Sequence, residues 1–297
     1  MDEYIRLLRS NWALTSKVQW VPIEPAKAQM MAKTAENSFD GGRTQAWVAS
    51  LDHPTWFSVQ GHHTIHVLSD RSMAELTPDL ELGLRILSWL SKKPITWFWW
   101  DQSWSRTLPS MVDPGPEHLN GGWAIPGVPE VHVYRREEAL KVMIHECIHA
   151  LLLDVKPVLV APVLDQFEAH LGRRLWPHLG ECYTELLAEL LWSVIQSKSV
   201  EDVRTRWTSQ KACSRKQAGQ VWARIHDATE SEKTNVFAYY ILKWVLMQHE
   251  EVFFGPNHCV SLWFTWFMEA LPELERLRQR YRESETQTLS LAMTCPT

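Results

Sequence analysis

The segment Glu138-Ala-Leu-Lys-Val-Met-Ile-His-Glu-Cys-Ile-His-Ala-Leu-Leu-Leu153 constrains this 297-residue chain more than any other stretch, because it has to form a helix buried on nearly every side. Val142, Met143, Ile144, Ile148, Leu151, Leu152 and Leu153 surround three polar residues, His145, Glu146 and His149, which leaves no solvated face of the usual kind. An unpaired polar group in such a place costs about 1–3 kcal/mol, and coordination to a cation removes that cost. Two histidines four positions apart project from one face, one turn apart, so both imidazoles reach one ion. Glu146 falls beside that face, where its carboxylate reaches a metal-bound water without binding the metal; it is the candidate general base. With 13 histidines and 35 acidic residues in the chain, roughly 0.1 or fewer accidental matches to this pattern are expected. The strand-like Val131-His-Val-Tyr-Arg135 just ahead of the helix favours the metal reading further.

Two histidines do not complete a metal site. After His149 the chain runs Ala-Leu-Leu-Leu-Asp-Val-Lys, without the short extension that would add a third histidine, so a carboxylate further on is expected. Gly180-Glu-Cys-Tyr-Thr-Glu-Leu-Leu-Ala-Glu-Leu-Leu-Trp-Ser-Val-Ile195 predicts a second apolar helix with Glu181, Glu185 and Glu189 along one stripe. Its neighbours, among them Leu186, Leu187, Leu190, Leu191 and Val194, set it apart from a solvated acidic face. His178, after Pro177, reads as a residue that precedes or caps this helix and is the weaker ligand candidate.

These two motifs resemble the zincin metallopeptidases, and among them the gluzincins, whose third zinc ligand is a glutamate. The resemblance implies that a glutamate of the second helix completes the zinc shell, while an acidic residue four positions later supports a ligand histidine. Two registers fit: Glu181 as ligand with Glu185 behind it, or Glu185 with Glu189 behind it. Glu181 is favoured, because an early position leaves two following turns for carboxylates that orient the imidazoles. Asn120-Gly-Gly-Trp123, the run from Val131 to Glu146, the acidic helix and Thr234-Asn-Val-Phe-Ala-Tyr-Tyr-Ile-Leu-Lys243 also look like a group of uncharacterised metallopeptidases from large DNA viruses and protists. Viral origin is compatible with that likeness. In zincins a sheet edge above the metal helix pairs with an extended substrate backbone. By resemblance, Asn120, Gly121 and Gly122 with Trp123, or Val131 to Tyr134, supply that edge.

A net charge of −5 and a pI near 6.2 offer no general attraction to nucleic acid or anionic membrane. Five cysteines form no Cys-x-x-Cys pair, and reduced thiols in a cytoplasmic protein are expected. Met1 to Arg9 carries charges where a secretory signal needs an apolar run, and no stretch reaches membrane-spanning length. With 45% hydrophobic residues and 17 tryptophans the chain can bury a large core. Oligomeric state is not legible.

The expected fold is α+β and zincin-like. A mixed α/β lobe, residues 1–154, holds a small sheet and ends in the histidine helix; a mainly helical lobe, 155–297, carries the third ligand, with the active-site cleft between them. Helices are predicted at 2–15, 25–38 and about 78–92, and strands at 18–22, 45–50, 63–68 and 95–100, with a proline- and glycine-rich connection over 109–129. Beyond Asp154, helices are predicted at 163–171, 181–197, 200–208, 214–225, 234–250 and 259–282. The resulting expectation is a zinc-dependent peptidase acting on a peptide or protein, in which Glu146 activates a zinc-bound water. Tyr239 and Tyr240 are the candidate oxyanion donors, with His62, His63 and His66 as lesser ones. Two alternative classes remain, a non-peptidase zinc hydrolase or structural zinc protein, and an inactive binding protein that retains the motif; the intact Glu146 argues against both.

Overall fold

The computed structural model describes residues 5–6, 20–23, 31, 33, 40–51, 55–108, 114–225, 231–250, 260–282, 289–290 and 292. The expected helices at 2–15 and 25–38 fall largely outside these residues. The architecture is mixed α+β. In chain order the strands are β1 (Trp20–Pro22), β2 (Thr55–Gln60), β3 (Thr64–Ser69), β4 (Thr96–Trp100), β5 (Thr107–Leu108), β6 (Gly122–Ala124), β7 (Glu130–Val133) and β8 (Leu289–Ser290). The chain divides into two compact units: residues 10–106 with 116–153, and residues 1–9 and 107–115 with 154–297.

The first unit is built on a six-stranded sheet of order β1-β2-β3-β4-β7-β6. The inner strands β3, β4 and β7 run parallel, while β1, β2 and β6 are antiparallel to their neighbours. Alternation in Thr96-Trp-Phe-Trp-Trp100 sends Trp97 and Trp99 to one face and Phe98 and Trp100 to the other, and all four are buried. A strand covered on both faces is apolar at every position rather than every second one. The helix Met73–Leu90 lies on the Trp97 face, so close that a Cβ at Gly83 would stand 2.6 Å from the indole. It starts five residues before the expected Pro78. Ser72 and Glu75 form a reciprocal capping box, which fixes the first turn ahead of the proline.

The strand expected at 45–50 is a helix, Arg43–Ser50. Asp40 accounts for the difference: its carboxylate accepts the amides of Gly42 at 2.9 Å and Thr44 at 2.8 Å, while Gly41 and Gly42 take positive φ. A side-chain oxygen that satisfies first-turn amides starts a helix whatever the strand propensity of Trp47 and Val48. Strand β2 was not anticipated. The connection expected at 109–129 contains, among its described residues, the short helix Pro116–Leu119 and strand β6.

His66, Phe98, His132 and Trp123 stand in register across β3, β4, β7 and β6. The His132 and Trp123 rings stack at 3.7 Å between centroids and 6° between planes. Burial holds the His132 imidazole down at about 4 against the opposing pull of Glu130, whose carboxylate lies 2.7 Å from Nε2. An imidazole depressed in the folded state adds stability above its unfolded pKa, near 6.5, and loses it as pH falls. Between pH 7.5 and 5.0 that loss is about 2 kcal/mol. His132→Phe keeps an aromatic ring and cannot titrate, so urea unfolding at the two pH values is expected to show a smaller drop than wild type. Equal drops would remove His132 as the source.

Among its described residues the second unit is helical apart from the β5–β8 pair. Its helices are Pro157–Leu171, Glu181–Gln196, Val200–Ile225, the π-helix Phe237–Leu242 running into Lys243–Gln248, and Trp263–Tyr281. Val200–Ile225 is one helix where two were expected, because Ser-Gln-Lys-Ala-Cys at 209–213 contains neither glycine nor proline to stop it. It crosses Trp263–Tyr281 at Gly219, where a Cβ would meet Leu277 at 2.6 Å. Phe167 centres the core, edge-on to Phe237, Phe264 and Phe267. Cys147 and Cys182 are buried free thiols, whereas Cys213 is disulfide-bonded, which departs from the expectation of reduced cysteines throughout. Among the described residues no helix is long and apolar enough to cross a membrane.

Candidate metal centre

The histidine helix spans Ala139–Ala150, with every residue but His149 buried. Glu138 opens it in the left-handed region at φ 59°, and its carbonyl accepts the Val142 amide at 2.9 Å. The helix packs on β6 and β7. One helical turn separates the two histidines, and their Nε2 atoms lie 3.2 Å apart. Two nitrogens bound at about 2.0–2.1 Å to one tetrahedral zinc stand about 3.3 Å from each other, so the donor pair fits that ion. The Cys147 thiol beside them is pushed up by burial and by Glu146, as Cys182 is by burial and Glu181. Neutral, enclosed thiols are neither nucleophiles nor ready ligands.

Edge strand β6 lies directly on this helix. A Cβ at Gly122 would stand 2.5 Å from the His132 carbonyl oxygen, 2.9 Å from Val142 and 3.0 Å from Cγ of Glu146. Only glycine permits that approach. Of the two stretches considered as sheet edge, Gly122–Ala124 is the terminal strand, whereas Val131–Val133 is interior, paired on both sides. Asn120 and Gly121 lead into the strand; the Asn120 carbonyl accepts from Arg135 and the Gly121 carbonyl from the Tyr134 amide.

Glu181 is the first residue of the helix Glu181–Gln196, and its amide donates to the His178 carbonyl at 2.9 Å, placing His178 in the preceding turn. The Tyr239 hydroxyl donates to Oε2 of Glu181 at 3.4 Å. Tyr239 and Tyr240 belong to the π-helix, a rare turn that recurs at functional sites. Tyr240 is fully enclosed in the core. Glu185 is buried against Lys243, with Nζ 3.5 Å from Oε1 and both side chains 1% exposed. Glu189 is buried four residues further on. Among the described residues, one group of histidine, cysteine, aspartate and glutamate side chains offers three ligand atoms all within 4.8 Å of one another: His145, His149 and Glu181.

The remaining histidine candidates serve the sheet. His62 Nε2 lies 2.9 Å from the Lys92 carbonyl, and His63 Nδ1 accepts the Ile95 amide at 3.2 Å, with burial and then His62 lowering its pKa to about 4. His66 packs on Phe98. Sequence reasoning passed over Lys243, although a lone lysine inside Ile241-Leu-Lys-Trp-Val245 is itself a sign of a buried counter-charge. It also passed over Arg106 and Arg135, both buried. No protein-family model matches this chain, and neither the curated proteins nor the solved structures contain a match.

Proposed function

We propose that this chain is a zinc-dependent metallopeptidase of the zincin type, with a glutamate as third ligand and a peptide or protein as substrate. The observation that carries the reading is the group His145, His149 and Glu181, whose side chains could hold a metal ion; two imidazoles and one carboxylate are the donor set of a catalytic rather than a closed zinc shell. Glu185 has Lys243 as its counter-charge, which favours Glu181 as the ligand. On this reading residues 1–154 and 155–297 act as one catalytic unit with a zincin-like fold. Zinc, when bound, would supply Lewis-acid polarisation of the scissile carbonyl and lower the pKa of a coordinated water.

The chain's own residues do the rest. Glu146 accepts a proton from the attacking water and delivers it to the leaving amine, the ordinary work of a carboxylate held in an enclosed site. The backbone of β6, set against Glu146 by Gly122, offers an extended substrate a strand to pair with. Tyr239 orients Glu181 through its hydroxyl, and its O–H is the candidate donor to the developing oxyanion.

Metal removal tests the reading. Protein purified without chelator is expected to carry about one zinc per chain, to cleave a mixed peptide library, to lose that activity with 1,10-phenanthroline and to regain it with added zinc. Wild-type protein that neither carries nor takes up zinc, or cleavage indifferent to the chelator, would sink it.

A further inference from the structure

Two buried guanidiniums hold the segment that leads into the edge strand. Arg135 donates Nε to the Asn120 carbonyl at 2.6 Å, Nη1 to that of Ser105 at 2.9 Å and Nη2 to that of Glu117 at 2.7 Å. Arg106 donates Nε to the Leu119 carbonyl at 2.7 Å and Nη1 to the Glu138 carboxylate at 2.6 Å. Its Nη2 lies 2.5 Å from where a Cβ of Gly121 would stand. With the Gly121 carbonyl taken by the Tyr134 amide, three consecutive carbonyls, at 119, 120 and 121, are bound to fixed donors.

This arrangement is unfavourable as mere packing. Two cations side by side in the interior repel each other, and burial, then Arg106, pull the Arg135 guanidinium down to about 10. Apolar side chains would fill the same space without that repulsion. What they lack is a rigid planar fork that fixes several carbonyls in one orientation. Arg106 also ties the segment to Glu138, the residue that opens the histidine helix. One side chain is therefore bonded both to the approach to β6 and to the start of the helix beneath it. The Trp123 stack on His132 anchors the strand from the opposite face.

We propose that Arg106 and Arg135 are positioning residues that set the height of Gly122–Ala124 over Glu146 and thereby the binding of an extended peptide backbone. The inference rests on the peptidase reading and deepens it by assigning which residues make the substrate strand rigid.

Arg135→Lys, with Arg106→Lys as the second variant, keeps the charge and removes the fork. Hydrogen exchange, zinc content and steady-state peptide cleavage are compared with wild type. Amides at 119–124 are expected to exchange about tenfold faster or more, with those of 139–150 and the zinc content unchanged, while KM rises about tenfold and kcat stays within about threefold. The proposal is overturned if exchange at 119–124 stays at the wild-type rate. It is equally overturned if exchange quickens through sheet and helix together, the mark of a simple core strut, or if kcat falls with KM unchanged. Wild-type protein that cleaves no peptide with zinc restored refutes the peptidase reading instead, and the exchange measurement still decides whether the guanidiniums set the strand.

Discussion

Glu146→Gln is expected to lower kcat for peptide cleavage by roughly 10²- to 10⁴-fold, the range associated with loss of a positioned general acid–base, while zinc content stays at the wild-type level. Glutamine occupies the same volume, so Gly122 keeps its close approach to the residue 146 side chain. The amide cannot accept the proton that the carboxylate takes. Because Glu146 is outside the ligand group His145, His149 and Glu181, the substitution separates chemistry from metal binding. Metal analysis and kinetics on the same preparation check it. A variant that retains both zinc and cleavage would leave the metal site standing and remove Glu146 as its base.

His149→Ala should act at the other point, on the metal itself. Losing a hydrogen-bond partner behind a ligand costs about 10- to 100-fold in affinity, so loss of the imidazole is expected to exceed about 100-fold. At a zinc concentration 100 times the wild-type Kd, the metal stabilises the fold by about 2.7 kcal/mol; His149→Ala should forfeit the corresponding zinc-dependent rise in Tm. The glutamates are told apart in the same assay. Glu181→Gln is expected to weaken zinc binding as His149→Ala does. Glu185→Gln is expected to leave zinc binding largely intact and to destabilise the protein by about 3–5 kcal/mol, the cost of breaking a buried ion pair from one side. The reverse pattern would transfer the ligand role to Glu185.

The mixed α and β character was legible because the central strands and the helices differ in period: Trp97 to Trp100 form a continuous apolar run, whereas Glu181 to Gln196 repeats its polar residues every turn. The His145 and His149 pair was legible for the same reason, since four-residue spacing on a helix is itself a distance. The helix at Arg43–Ser50 was hidden, because its cause is Asp40 and two glycines outside the segment. The Glu181 and Glu185 registers both fit the local pattern, because both sit on one stripe, and position alone favoured Glu181; that Glu185 is buried against Lys243, far along the chain, was not legible. Arg106 and Arg135 read as ordinary charges until their carbonyl partners are known.

The π-turn at Phe237–Leu242 makes its helix an element with two phases. Tyr239, inside the turn, meets Glu181, and Lys243, just beyond it, meets Glu185. A π-turn holds one residue more than the α-helical ladder around it, so removing that residue would rotate everything downstream by about 100°. Length, more than identity, is the protected property of this stretch: a conservative substitution at 241 or 242 keeps the phase, while a one-codon deletion would move the lysine off its glutamate.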